Sequence, residues 1–111
     1  MYSKELIKGT LQPIILMLLK ERHRMYGYEI TQKVKELTNG KIEITEGALY
    51  PTLHKLEANG VLKTETEFIG KRVRKYYSLT TSGKSIATSK VDELMDFLST
   101  ICLIHNSKIT A

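Results

Sequence analysis

Four cationic side chains stand within five positions of one another, and two tyrosines follow them directly. They are Lys71, Arg72, Arg74 and Lys75, followed by Tyr76 and Tyr77. Lysine and arginine neutralise backbone phosphates and release the counterions condensed on nucleic acid, so such a cluster suits DNA or RNA when it protrudes from the surface. The alternative is a hairpin whose charges only keep it soluble. The secondary structure predicted around the cluster distinguishes nucleic-acid binding from simple solubility.

The residues on both sides of the cluster predict a β-hairpin. Residues 61–68 and 73–79 alternate in side-chain type, which is a two-faced strand pattern. Gly70 makes a tight turn between them with Lys71 and Arg72. Because side chains alternate across a strand, Arg72 and Arg74 share one orientation. Lys71, at the turn itself, is best placed to reach a nucleic-acid backbone or a minor groove.

An α-helix is predicted directly before the hairpin, beginning after Thr45 and ending at Asn59-Gly60. Three leucines repeat at helical spacing and form its inward face: Leu49, Leu53 and Leu56. Thr45 is a suitable N-cap, and Asn and Gly tolerate the left-handed conformation that ends helices. Pro51 is unfavourable inside a helix because it lacks a backbone donor. Either the first turn is bent, or the regular helix begins later than Thr45 indicates.

A helix followed at once by a hairpin with a basic tip is the layout of a winged helix-turn-helix, in which the helix enters a groove of DNA. On the outward face, Lys55 and His54 can donate to guanine acceptors, and Tyr50 can donate to a phosphate or a base. The alternative is that Tyr50 packs beneath the hairpin and that His54 is an ordinary surface residue.

The first 45 residues predict two further helices and one strand. Thr10 is expected to cap a helix over residues 11–22 that is apolar almost all round and therefore central, with Gly9-Thr10 separating it from a short amphipathic piece. A second helix is expected from Tyr26 to Leu37. Residues 41–44 alternate polar and apolar side chains and predict a third strand beside the hairpin.

The last helix is expected to be a dimerisation helix, capped by Thr80 or Thr81. Its apolar residues step by four and three positions, which is the spacing of helices that pack lengthwise: Ala87, Val91, Leu94, Leu98 and Ile101. One small domain cannot cover so broad an apolar helix, so the sequence predicts a two-fold homodimer. Residues 105–111 are expected to be frayed.

The totals exclude several classes of protein. A chain of 111 residues with a net charge of +5 fits one moderately basic unit, in which residues 1–80 form the DNA-binding domain and residues 81–111 the dimerisation helix. The single cysteine, Cys102, rules out an internal disulfide framework and favours a cytoplasmic location. No apolar run is long enough to span a membrane. The histidines are scattered, and no phosphate loop or nucleophile–base set is present, so we expect no metal, no cofactor, no catalytic residue and no enzymatic activity.

Three motifs, in order, resemble the PadR family of bacterial transcriptional regulators. They read YGYEI at residues 26–30, EGALYPTLHKLE at 46–57 and GKRVRKYYSLT at 70–80, and the resemblance covers about residues 5–100. It implies that Tyr50, Lys55 and the Gly70–Arg74 turn face DNA. The family also includes regulators that respond to aromatic or cationic small molecules, often at the dimer interface. In this chain Leu94, Phe97 and Leu98 fit an apolar pocket for such an effector or plain packing, and packing is the favoured interpretation. The chain has no tryptophan, so a pocket of stacked indoles is impossible.

The resulting hypothesis is a mainly α protein with a small β-hairpin wing that acts as a homodimeric repressor. Its two central helices would enter successive major grooves of an inverted-repeat operator, about 34 Å apart. Two alternatives remain: a winged-helix module that binds another protein, and a ligand-binding protein without operator binding. An RNA role is disfavoured, because the aromatic sheet of common RNA modules is missing.

Overall fold

Residues 2–107, which the computed structural model describes, form four helices and three strands. In chain order they are α1 (Lys4–Glu21), β1 (Met25–Tyr26), α2 (Gly27–Leu37), α3 (Glu46–Ala58), β2 (Leu62–Ile69), β3 (Arg72–Leu79) and α4 (Thr81–Asn106). The predicted fold class, mainly helical with a small hairpin wing, is confirmed. We call β2, β3 and the two residues that join them the wing.

The wing is a regular antiparallel hairpin with a third, very short strand at one side. The strand order is β1-β3-β2, so β3 lies in the middle. Leu62 pairs with Leu79 at the base, and Ile69 pairs with Arg72 beside the turn. Gly70 has a φ of 63°, which a two-residue hairpin turn requires and which glycine adopts without strain. The predicted basic turn is therefore confirmed.

The third strand of the sheet is not the segment that the sequence predicted. Residues 41–44 form no strand, and β1 instead pairs Met25 with Tyr77 and Tyr26 with Tyr76. Ile44 is buried and Ile42 packs against the core. The alternation of polar and apolar residues therefore arises because alternate side chains of an extended loop face the core. It does not arise from strand pairing.

The first helix is longer than predicted, because it does not break at Gly9-Thr10. It begins after Ser3, whose hydroxyl accepts from Leu6 N–H at 3.2 Å. Thr10 is not an N-cap: its hydroxyl donates to the Leu6 carbonyl at 2.6 Å inside the helix. One glycine costs a helix only about 1 kcal/mol, and the packed apolar stretch that follows outweighs it.

Both prolines lie inside helices, Pro13 in α1 and Pro51 in α3. A proline ring crowds the carbonyl four residues earlier, and in both helices that residue is a glycine, Gly9 or Gly47. Helix α3 begins directly after Thr45, so the alternative of a later start is wrong.

The predicted caps of the later helices are confirmed. Thr45 accepts from Ala48 N–H at 3.2 Å, and Thr80 accepts from Gly83 N–H at 2.9 Å. Gly60 ends α3 with a φ of 75°. Helix α4 continues through His105 and Asn106, so fraying from residue 105 is wrong; residues 108–111 lie outside the described part of the chain.

The core lies where α1 crosses the other elements. Its buried side chains come from every helix and from the base of the wing: Leu11, Ile15, Leu16, Leu19, Met25, Ile30, Val34, Ile44, Leu49, Leu53, Leu56, Val61, Leu62, Tyr77, Leu79 and Ala87. The three leucines predicted to face inward from α3 are all buried. Helix α1 is central, as its apolar sequence predicted.

Only the first half of α4 takes part in this core. Ala87 is 0% exposed, whereas every residue from Met95 to Ser107 is exposed. A helix of 26 residues is about 39 Å long at 1.5 Å per residue. Its second half therefore projects from the domain, and the long dimension of the described chain reaches 65 Å.

Gly83, in the first turn of α4, packs directly on the backbone at the base of the wing. A β-carbon there would overlap the Val61 carbonyl oxygen and would lie 2.8 Å from Thr80 Oγ1. We expect Gly83→Ala to lower the free energy of unfolding by about 1–3 kcal/mol, the usual cost of overpacking. Urea unfolding measures this, with Lys84→Ala, an exposed neighbour in the same turn, as the control. Equal stability of the two variants would contradict the close packing.

Candidate nucleic-acid interface

The outer face of helix α3 is polar, and it carries small residues near the start of the helix. Gly47, Pro51, His54 and Lys55 are exposed along it, while its three leucines are buried on the other side. His54 and Lys55 therefore lie where the sequence predicted, free to donate to an acceptor. The small residues near the start of the helix permit close approach by another surface.

Tyr50 is less accessible than its predicted role requires. Its side chain is half-buried, and its phenol ring packs on Gly27 at the start of α2, where no larger residue would fit. The ring centroids of Tyr50 and His54 are 6.3 Å apart. Tyr50 thus joins α3 to α2 as a packed residue, and its neighbour is α2 rather than the hairpin that the alternative named.

The outer face of the sheet holds two arginines and two tyrosines that alternate in space. The Arg24 guanidinium lies 4.0 Å from the centroid of the Tyr76 ring, and that of Arg74 lies 4.1 Å from the centroid of the Tyr26 ring. The two rings meet edge to face at 5.5 Å. Cations over aromatic faces are attracted by the ring quadrupole. This cluster fastens the short strand β1 to the middle of the wing.

Two glutamates of β2 complete the cluster by neutralising Arg24. Arg24 Nη2 donates to Glu67 Oε1 at 2.6 Å, and Nη1 lies 3.5 Å from Glu65 Oε2. The hydrogen bond to Glu67 raises the pKa of Arg24. The Arg24 side chain is therefore occupied by contacts within the sheet, which nothing in the sequence pattern predicted.

Arg74, predicted to bind DNA, also takes part in this cluster. It is half-buried, and its Nη1 donates to the Tyr76 hydroxyl at 3.4 Å. That hydrogen bond raises the pKa of Arg74. Arg72 and Arg74 do share one face of β3, as predicted, but only Arg72 is fully exposed.

The other face of the wing is joined to α3 through Glu57. Lys75 Nζ lies 3.6 Å from Glu57 Oε1, and the Thr64 hydroxyl donates to Glu57 Oε2 at 3.2 Å. Deeper on this face, burial raises the pKa of Tyr77, and nearby Lys75 partly opposes the effect. Lys75 thus holds the wing against α3.

These contacts divide the basic residues of the sheet into those already bound within the protein and those free to bind a ligand. Arg24 and Lys75 form ion pairs and Arg74 lies on an aromatic ring, whereas Lys71 and Arg72 are exposed and form no ion pair within residues 2–107. The positive charge available to a ligand is therefore concentrated at the tip.

A second group of cations, which the sequence did not indicate, lies at the other end of α3. A groove of about 970 Å³ between the start of α1, the α2–α3 loop and the start of α3 is lined in part by Lys4, Lys8 and Lys41. Lys4 and Lys8 are four residues apart and so share one face of α1. Reading residues 4–8 as helical would have revealed that pairing from the sequence.

The predicted dimer seam, which is the apolar stripe of α4 from Ala87 to Ile101, is partly covered by the chain's own core. Ala87 is covered by the chain's own core, so its assignment to a dimer contact is wrong. Val91 and Leu94 are half-buried. Leu98 and Ile101 are 46% and 43% exposed, so the part of the seam that remains open lies on the projecting half of α4.

No helix in residues 2–107 is both long and apolar enough to cross a membrane. Within the same range, no three His, Cys, Asp or Glu residues come together as a metal site would require.

A helix-turn-helix followed by a wing with a cationic tip defines a winged-helix nucleic-acid-binding domain. Residues 15–89 match the model of the transcriptional regulator PadR-like family, and the chain belongs to that family. It is also 38% identical over 96 residues to an uncharacterized protein of Lysinibacillus sphaericus, covering 84% of this chain and 85% of that one. Since the family consists of transcriptional regulators, the protein is a regulator and not an enzyme.

Solved structures agree in fold along almost the whole chain. A transcriptional regulator from Clostridium thermocellum superposes with a TM-score of 0.79 at 30% identity, covering 97% of this chain and 100% of that one. A PadR family transcriptional regulator from Eggerthella lenta gives 0.75 at 30% identity, covering 94% and 88%. The resemblance inferred from the three motifs is therefore confirmed.

The two arginines of β3 differ in their contacts and should differ in effect when removed. We expect Arg74→Ala to lower the melting temperature, because it removes a cation from the Tyr26 ring and a hydrogen bond to Tyr76. Arg72→Ala, an exposed neighbour on the same face, should leave the melting temperature nearly unchanged. Thermal unfolding followed by circular dichroism compares them, and identical melting temperatures would show that the stacking contributes nothing.

Proposed function

We propose that the protein is a homodimeric repressor that binds an inverted-repeat operator in double-stranded DNA. In this proposal the winged helix-turn-helix, residues 1–80, contacts DNA, and the helix that begins at Thr81 forms the dimer. The observation that carries the proposal is the unpaired positive charge of Lys71 and Arg72 at the wing tip, beside the exposed polar face of α3. Phosphates are the natural partners of such a tip.

Within the proposal, the two elements have different tasks. His54 and Lys55 reach base edges in the major groove and supply sequence preference. Lys71 and Arg72 contact the backbone beside it and set the position of α3. Arg74 and Tyr50 act on DNA indirectly, by holding the wing and α3 in place. Lys4, Lys8 and Lys41 extend the positive surface past the start of α3.

The first test is the affinity for the duplex upstream of the protein's own gene, against a scrambled duplex of equal length, over a series of salt concentrations. We expect selective binding that weakens steeply with salt. Selective binding whose affinity does not change with salt would contradict a phosphate-gripping wing. Absence of binding to both duplexes at low salt would favour the protein-interaction alternative.

Replacing the free tip cation Lys71 with alanine should weaken binding to both duplexes about equally. Each phosphate contact contributes about 0.9 to the slope of log K against log salt, so a dimer losing two contacts should show a slope smaller by about 1.8. Lys63→Ala, at the base of the same hairpin, is the matched control and should keep the wild-type slope. A Lys71 variant with an unchanged slope would remove the wing from the interface.

The proposed dimer is supported by the projecting half of α4. Six large apolar side chains are exposed on this short segment: Met95, Phe97, Leu98, Ile101, Leu103 and Ile104. Concentrated exposed apolar surface commonly marks an interaction site. A second copy of the same helix, related by a two-fold axis, would cover these side chains and would place two α3 helices on one side of the assembly.

Charge on the open face of α4 should separate the protomers. We expect Leu98→Glu with Ile101→Glu to give monomers in sedimentation velocity and a large loss of operator affinity, because a monomer reads only one half-site. Asp96→Lys is the control: at 3.6 residues per turn its side chain points about 160° from Leu98 and about 140° from Ile101. A double variant that sediments as a dimer would place the interface elsewhere.

Control by an effector is part of the proposal. The α4 helices of a dimer would set the separation of the two α3 helices, so an aromatic or cationic small molecule bound between them would favour one separation. Coupling of this kind is typically about 1–3 kcal/mol. The change in operator affinity on adding candidate compounds measures it directly.

A further inference from the structure

An aromatic side chain stands almost fully exposed beside the cationic tip of the wing. Phe68 is 78% exposed, the highest value among the large apolar side chains of the described residues, and its partner across the hairpin, Val73, is 60% exposed. Together they form a small apolar patch next to the turn that carries Lys71. No other part of residues 2–107 covers it.

The patch faces the same side as α3. Side chains alternate along β3, so Val73 shares a face with Lys75 and Tyr77, and Phe68 lies on that face through its pairing. Tyr77 is buried in the core, and Lys75 pairs with Glu57 of α3. Two residues of strand, about 7 Å, separate Lys75 from Val73. The patch therefore lies on the α3 side of the wing, just past its last contact with that helix.

We propose that Phe68 and Val73 pack against the deoxyribose wall of the DNA minor groove. This inference rests on the proposed function and names the contact that the wing tip makes besides its charge. Proteins that enter the minor groove frequently bring apolar side chains into it. The walls of the groove are formed by sugars, which offer apolar surface to side chains that do not insert between bases. The contact is independent of base sequence, because every nucleotide presents the same sugar.

The charged residues around the patch favour DNA as the molecule that covers it. Lys71, at the turn beside the patch, would hold a phosphate next to the sugar, whereas Arg72 lies on the opposite face of the hairpin with Ile69. The carboxylates nearest along the strand, Glu65 and Glu67, lie on the opposite face and pair with Arg24. A polyanion can therefore approach this face of the tip without meeting negative charge from β2.

The test compares Phe68→Ala with Ile69→Ala. Ile69 pairs with Arg72 and so faces the other side of the hairpin. We expect Phe68→Ala to weaken binding to operator and scrambled duplex by the same factor, on the order of tenfold for a partly buried phenylalanine. The salt slope should not change, because no charge is lost. Ile69→Ala should bind as the wild type does, and Phe68→Leu should recover most of the loss.

Hydroxyl-radical footprinting tests the location directly, because the radical attacks sugars from the minor groove. The wild type and Ile69→Ala should protect sugars at the outer flanks of each half-site, and Phe68→Ala should lose that protection. Unchanged affinity and unchanged footprint of Phe68→Ala would overturn the inference and leave the proposed function intact. A reduced salt slope, or dissociation of the free dimer in sedimentation, would also overturn it. A wild type that binds neither duplex would overturn both.

Discussion

The fold depends on one junction, where the end of α3, the base of the wing and the start of α4 meet. The Val61 carbonyl accepts from Thr80 N–H at 3.0 Å, and the Thr80 hydroxyl donates to the Gly60 carbonyl at 2.6 Å while accepting from Gly83 N–H. Gly83 packs against the same Val61 carbonyl. These few backbone groups set the angles between three elements, so the direction of α3, the wing and the projecting helix cannot change independently.

Some basic residues in and beside the wing stabilise its structure, whereas others present positive charge to a ligand. Arg24 crosses from the end of α1 to two glutamates of β2, and Arg74 lies on Tyr26, so a strand of only two residues is held firmly to the sheet. Lys75 ties the opposite face to Glu57. The cations at the turn then stand on a hairpin whose orientation is already determined, which limits the entropy that binding must remove.

Much of the fold was predictable because its signals are local. The leucines of α3 repeat at helical spacing, Thr45 and Thr80 accept from the first turns as expected of caps, and Gly70 permits the hairpin turn. The errors arose where local signals compete with packing. Gly9-Thr10 resembled a helix start, but a threonine hydroxyl can also bond to the preceding turn. The alternation at residues 41–44 reflected burial, which a loop and a strand can share.

The sequence by itself determined the order of the four helices and the hairpin, the family and the position of the cationic turn, because these depend on residue types at short spacing. Only the tertiary structure decided which cations are free and which apolar residues are covered. Arg72 and Arg74 are equivalent in the sequence, yet one faces solvent and the other a ring contributed from 48 residues earlier. Ala87 and Leu98 fit one heptad pattern, yet α1 covers the first and leaves the second exposed. Such differences depend on neighbours distant in the chain, and spacing along the sequence contains no information about them.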